Sequence, residues 1–183
     1  MRILSQVEAD ELLRPLQLKI GEWNRLNDLA SDDVPYKVYH PSRDTRELYV
    51  LAGYLLDWFA PEGWVLLQVD NSTWPSDDET GVFERLAFAA KQRWDIDTQR
   101  SFLFGDSSED EFDIDRHQLI LLIFFSLMFE WHVYLTCEKA TPGQRLGLQD
   151  GVVYFIGEAK LIDAADATLQ QIAENPLRFS RPA

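Results

Sequence analysis

Apolar residues recur along this chain with two periods, and the switches between them mark its elements. From Thr45 to Phe59 the residues Leu48, Leu51, Ala52, Leu55 and Phe59 return every three or four positions, which predicts an amphipathic helix stopped by Pro61 and Gly63. Trp64 to Val69 has little alternation, the pattern of a strand buried on both faces. Residues 6–13 and 77–92 carry the helical period, the second through Val82, Phe83, Leu86, Ala87 and Ala90. Leu16, Ile20, Trp23 and Leu26 continue a helical spacing to about Leu29, beyond the break at Pro15. Tyr36–Tyr39, bracketed by Pro35 and Pro41, and Phe102–Phe104 read as short strands. Asp150-Gly151, between Arg145–Gln149 and Val152–Ile156, is a hairpin signal, because both residues tolerate the positive φ that a two-residue turn demands. Asp163 is positioned to cap a last helix over 164–174, before Asn175-Pro176.

The most apolar stretch runs from Leu119 to Phe129 and is broken only by Ser126. A helix hydrophobic on every side belongs in a core or a membrane, and this run is well short of the ~20 residues a bilayer needs. It predicts a central buried helix near residues 116–130, followed by a strand over His132–Cys137. Four helix starts have capping-box spacing: Ser5 with Glu8, Asp44 with Glu47, Ser76 with Glu79 and Asp115 with Gln118. At Asp115 the flanking Ile114 and Leu119 also occupy the positions of a hydrophobic staple. Irregular alternation of helices and strands, with a late hairpin and no repeat or linker, predicts one α+β domain over residues 1–183. Its expected sheet is mixed, with about five strands and helices against it.

Charge changes the picture more than composition does. The formal net charge is −14 and the sequence pI about 4.5, a poor match to nucleic acid or an anionic membrane, which call for clustered Lys and Arg. Between Asp70 and Asp115 stand 13 carboxylates against four bases, a net of −9. Asp106, Glu109, Asp110, Glu111, Asp113 and Asp115 follow one another with no base between them. Trp74 and Trp94 lie beside Asp77, Asp78, Glu79, Asp95 and Asp97. Carboxylates around tryptophans suit a surface that docks a basic protein: the charges steer the encounter and the rings anchor it by cation–π contact. The competing reading is a solvated acidic loop with its tryptophans in the core. The expectation is therefore a protein-binding inhibitor, such as an immunity protein that occludes the cationic groove of a nuclease-type toxin. Partner contacts are expected from Trp74, Asp77, Asp78, Glu79, Trp94, Asp95, Asp97, Asp106, Glu109, Asp110, Glu111 and Asp113.

No cofactor and no metal are expected. The acidic run lacks the sixth-position glycine and twelfth-position glutamate of an EF-hand calcium loop. Glu158-Ala-Lys160, after a strand, resembles the metal-binding edge of the restriction-nuclease-like fold, where an aspartate on a neighbouring strand completes a magnesium site. That resemblance covers three residues, and Asp150 is eight residues upstream on the same strand, too far to join Glu158. A hydrolase assembled from Asp70, Asp150 and Glu158 is the alternative function, and a structural or regulatory subunit with a homomeric apolar interface is a third. His132 and Cys137 stand at odd separation on one strand and so face opposite ways, which rules out a local dyad. Cys137 shares its face with Val133 and Leu135, as a small buried hydrophobe does. His117 reads as a solvated helix-end residue, and His40 has no partner nearby in sequence. The single cysteine and the absence of a leader-like apolar segment predict a cytoplasmic protein.

Overall fold

The computed structural model describes residues 1–30, 33–70, 100–105 and 109–179, and of 109–114 the backbone alone. Its framework is an antiparallel sheet of seven strands: β1 (Arg2–Leu4), β4 (Tyr36–Tyr39), β5 (Val65–Val69), β6 (Ser101–Phe104), β7 (Val133–Cys137), β8 (Arg145–Gln149) and β9 (Val152–Ile156). The order across the sheet is β1-β6-β5-β7-β8-β9-β4. A separate hairpin pairs β2 (Leu18–Ile20) with β3 (Leu26–Asp28). Among the described residues the helices are α1 (Gln6–Leu13), α2 (Thr45–Phe59), α3 (Glu109–Met128) and α4 (Ala159–Glu174). The class is α+β, as expected. The sheet is larger than the five strands expected and its pairings are antiparallel rather than mixed.

Strand register separates two unlike faces. Ile3, Phe102, Leu67, Leu135, Leu146 and Phe155 form one cross-strand row, all buried. Three helices cover this apolar face. Trp58 of α2 meets Phe155 edge-on, with centroids 5.4 Å apart, and the Cys137 Sγ reaches the Phe59 carbonyl. Leu56 and Leu119 line a small recess with Val65 and Phe104, and Asp166 of α4 accepts from Tyr39 at 3.2 Å. The neighbouring row reads Leu4, Ser101, Gln68, Tyr134, Gly147, Tyr154 and Val38, and it is largely polar. Over this second face lies the β2–β3 hairpin, held where the Gly143 amide donates to the Leu16 carbonyl at 2.8 Å.

Local chemistry explains two of the helix starts. Ser5 and Glu8 form a reciprocal capping box on α1, and the Asp44 carboxylate accepts from the Arg46 and Glu47 amides, both at 3.0 Å, at the start of α2. Three expectations need correction. Residues 16–29 form two three-residue strands and two short 3-10 turns instead of a helix, with Gln17, Trp23 and Asn24 at positive φ. Helix α3 starts at Glu109, so Asp115 is no cap; its carboxylate accepts from the Gly105 amide at 3.0 Å and the Met1 ammonium at 2.5 Å. Helix α4 starts at Ala159, four residues before the expected cap Asp163.

The central helix is where the apolar run placed it. Leu119, Leu122, Ile123, Phe124, Ser126 and Leu127 are buried. Its apolar surface nonetheless exceeds what the core covers: Leu121 is 43% exposed, and Phe129, just past its end, 51% exposed.

Candidate functional site

The polar face of the sheet concentrates groups that ordinarily stay in water. Gln68 and Asp70 of the β5 segment are wholly inaccessible, and Ser101, Tyr134, Thr136 and Arg145 are buried beside them. Alternation puts them together: Gln68 lies between Ser101 and Tyr134 in register, and Thr136 and Arg145 follow on the same face. Burial of so many polar groups is costly unless each finds partners, so the hydrogen bonds define the site.

The Asp70 carboxylate accepts from Arg25 Nε at 3.0 Å, an ion pair between the hairpin and the end of β5. Its Oδ2 lies 4.0 Å from His132 Nδ1, and His132 Nε2 lies 3.0 Å from Asp150 Oδ1 in the β8–β9 turn. The imidazole thus stands between two carboxylates, one buried and one exposed. Gln68 Oε1 accepts from Ser101 Oγ at 2.5 Å, Gln149 Nε2 donates to the Tyr134 hydroxyl, and Thr136 Oγ1 donates to the Gln144 carbonyl at 3.1 Å. Arg145 donates from one terminal nitrogen to the Gly143 carbonyl at 2.8 Å. Among the described residues nothing accepts from Gln68 Nε2 or Arg145 Nε.

Electrostatics follow from that burial. Desolvation raises the Tyr134 phenol, with Arg25, Asp70 and Arg145 all acting on it, and lowers Arg145, which Asp28 and Tyr134 partly compensate. Arg25 is raised by its hydrogen bond to Asp70. On the opposite face, burial raises the Cys137 thiol, which makes it a poor nucleophile.

The residues singled out for a partner surface fare differently. Trp74, Asp77, Asp78, Glu79, Trp94, Asp95, Asp97 and Asp106 lie outside the described residues. Glu109, Asp110, Glu111 and Asp113 are described as backbone only and form the first turns of α3, where residues of negative charge complement the helix dipole. Asp70 and Asp115, the two ends of the acidic segment, are buried and ion-paired within the chain, so neither belongs to an outer acidic face.

Of the alternative hydrolase set, Asp70 and Asp150 converge on His132, whereas Glu158 follows the far end of β9 from Asp150. Among the described residues no group of three or more His, Cys, Asp or Glu is placed to hold a metal ion, and no helix is long and apolar enough to cross a membrane. The sequence reading missed Arg25, Gln68, Tyr134 and Arg145. One signal was present: Gln68 and Asp70 interrupt an apolar strand at i and i+2, a polar stripe on one face. No family model, no curated protein and no solved structure matches this chain.

Proposed function

We propose that the protein is a binding module whose partner is a cationic protein, engaged along α3. The observation that carries this reading is the make-up of that one helix. Its first turns contain Glu109, Asp110, Glu111 and Asp113, and its later turns leave an apolar edge in solvent. Leu121 and Phe129 are exposed there, and Phe125 stands between them with its ring centroid 5.9 Å from Phe129. Tyr49 of α2, 48% exposed, extends the edge through its contact with Phe124. Acidic residues and exposed aromatic and aliphatic side chains along one helix offer both long-range steering and a desolvated anchor.

Elsewhere several of the described bases are paired within the chain. Arg25, Lys37, Arg43, Arg116 and Lys139 pair with Asp70, Asp166, Glu130, Asp57 and Glu62. The formal net charge of −14 favours a cationic partner over an anionic one. The narrower reading is an immunity-type inhibitor that covers the nucleic-acid groove of a basic toxin; Trp74 and Trp94 would supply further anchors.

The test is affinity capture from the native host over a salt series, with captured proteins identified by mass. Two variants are compared with the wild type: one with Glu109, Asp110, Glu111 and Asp113 all changed to Lys, and one with Leu121→Ser and Phe129→Ser. A basic protein retained by the wild type, released by salt and lost from both folded variants supports the reading. A partner held equally well by both variants overturns it, and so does a chain whose α3 edge serves only to pair two copies, seen as a dimer mass abolished by the serine variant.

A further inference from the structure

Across the sheet from α3, the polar face holds hydrogen-bonding capacity that no described residue uses, and all of it is of one kind. Gln68 Nε2 and Arg145 Nε are buried donors without an acceptor among the described residues. Arg25 gives Nε to Asp70, and its terminal nitrogens make no hydrogen bond to a described residue. The Tyr134 hydroxyl accepts from Gln149, which leaves its own proton to donate. These groups converge: Gln68 and Tyr134 are register partners, Tyr134 feels both Arg25 and Arg145, and Asp70, two residues beyond Gln68, fixes Arg25 over the same face. Gly147 sits between the Tyr134 and Tyr154 side chains, so that β8 adds no bulk there.

Donors alone call for acceptors, and two of the four are permanent cations. We propose that this face binds an oxyanion, the carboxylate or phosphate of a small ligand, received by Arg145, Gln68 and Tyr134 with Arg25 on the solvent side. A guanidinium suits such a group because its fork donates to two oxygens at once. The other carboxylates nearby do not meet the need. Asp70 is bonded to Arg25 by Nε, and Asp28 accepts from the Ala30 amide and acts on Arg145 only through its field. Arg25, with its side chain 46% exposed, is the member that a ligand arriving from solvent meets first. Nothing in this reading depends on the partner surface of α3.

The direct readout is the side-chain N–H resonances of Gln68 and Arg145 in the full, isotope-labelled chain. Inorganic phosphate and acetate are titrated separately at constant ionic strength, which tells a phosphate ligand from a carboxylate one. The expected result is a saturable movement of both resonances with at least one anion. Arg25→Lys, which keeps the charge but loses the fork, and Tyr134→Phe should each weaken that binding by about tenfold while the rest of the spectrum stays folded. Resonances that stay put in both titrations overturn the proposal. Saturation at the same anion concentration in the wild type and both variants overturns it as well.

Discussion

Asp70 is a fully buried carboxylate, whereas the Arg25 side chain that neutralises it is nearly half exposed, and that asymmetry makes the two ends of one ion pair unequal. Taking away Arg25 deprives a charge that water cannot reach of its guanidinium partner. Taking away the charge of Asp70 frees a guanidinium that water can solvate. Arg25→Ala is therefore expected to lower the unfolding free energy by about 3 kcal/mol, the lower end of the range for breaking a buried pair. Asp70→Asn, which keeps shape and one acceptor, should cost only about 1 kcal/mol. Urea denaturation of the two variants measures the difference; equal losses would mean that the pair is worth no more than an exposed one. His132 gives a further reason for the residue scale to matter here. Its ring lies 4.0 Å from Asp70 and 3.0 Å from Asp150, and so stands where the β8–β9 turn meets the end of β5.

Among the elements, those with strong local signals were legible in the sequence. Helix α2 has its cap, its stripe and its stop between Asp44 and Gly63, and the bounds expected for it, Thr45 to Phe59, are the bounds observed. The β8–β9 hairpin was equally legible, because Asp150 (φ 51°) and Gly151 (φ 70°) adopt the two positive-φ positions that Asp-Gly favours. Gly151→Ala should destabilise the chain by about 1–2 kcal/mol, the cost of forcing a Cβ into left-handed backbone. The new methyl would also stand 3.3 Å from the Leu127 carbonyl. A thermal melt compared with that of Gly53→Ala checks this, since a Cβ at Gly53 meets no atom within 4 Å; matching midpoints would contradict the turn assignment. Elements set by distant partners were not legible. The β2–β3 hairpin takes its positive φ at Trp23 and Asn24, and the chain enters it through Gln17 at positive φ, none of them a glycine, while its apolar residues happen to recur at helical spacing. Asp115 has every local mark of a cap, yet Gly105 and the N-terminus claim its carboxylate. The polar cluster needed the pairing of β5, β6, β7 and β8, and no local window contains that information.

At the scale of the whole molecule, the two faces of the sheet are joined by their dependence on pH. Tyr39, on the helix-covered face, has its phenol held well above the ordinary range by burial, with the Asp166 carboxylate beside it and accepting its proton in a hydrogen bond. Tyr134, on the polar face, is raised chiefly by burial, against the opposing pull of Arg25, Gln149 and Arg145. A group whose pKa is higher in the folded chain than in the unfolded one binds its proton more tightly when folded. Its contribution is complete below the unfolded value, about 10 for tyrosine, and falls as pH climbs beyond that value toward the folded one. Stability should consequently decline with an alkaline slope to which both phenols contribute, one from each face, and their ionisation should coincide with unfolding. Absorbance at the phenolate band, followed with circular dichroism from pH 8 upward, reads both events. Tyr39→Phe and Tyr134→Phe should each flatten the decline, and the double variant should flatten it most, because a phenylalanine has no proton to lose. Lysine pairs such as Lys37 with Asp166 also titrate in alkali, so the decisive quantity is the change in slope between wild type and variant. If the double variant loses stability as steeply as the wild type, the phenols are not the groups that resist ionisation. The burial that separates the two faces would then have to be looser than the strand register implies.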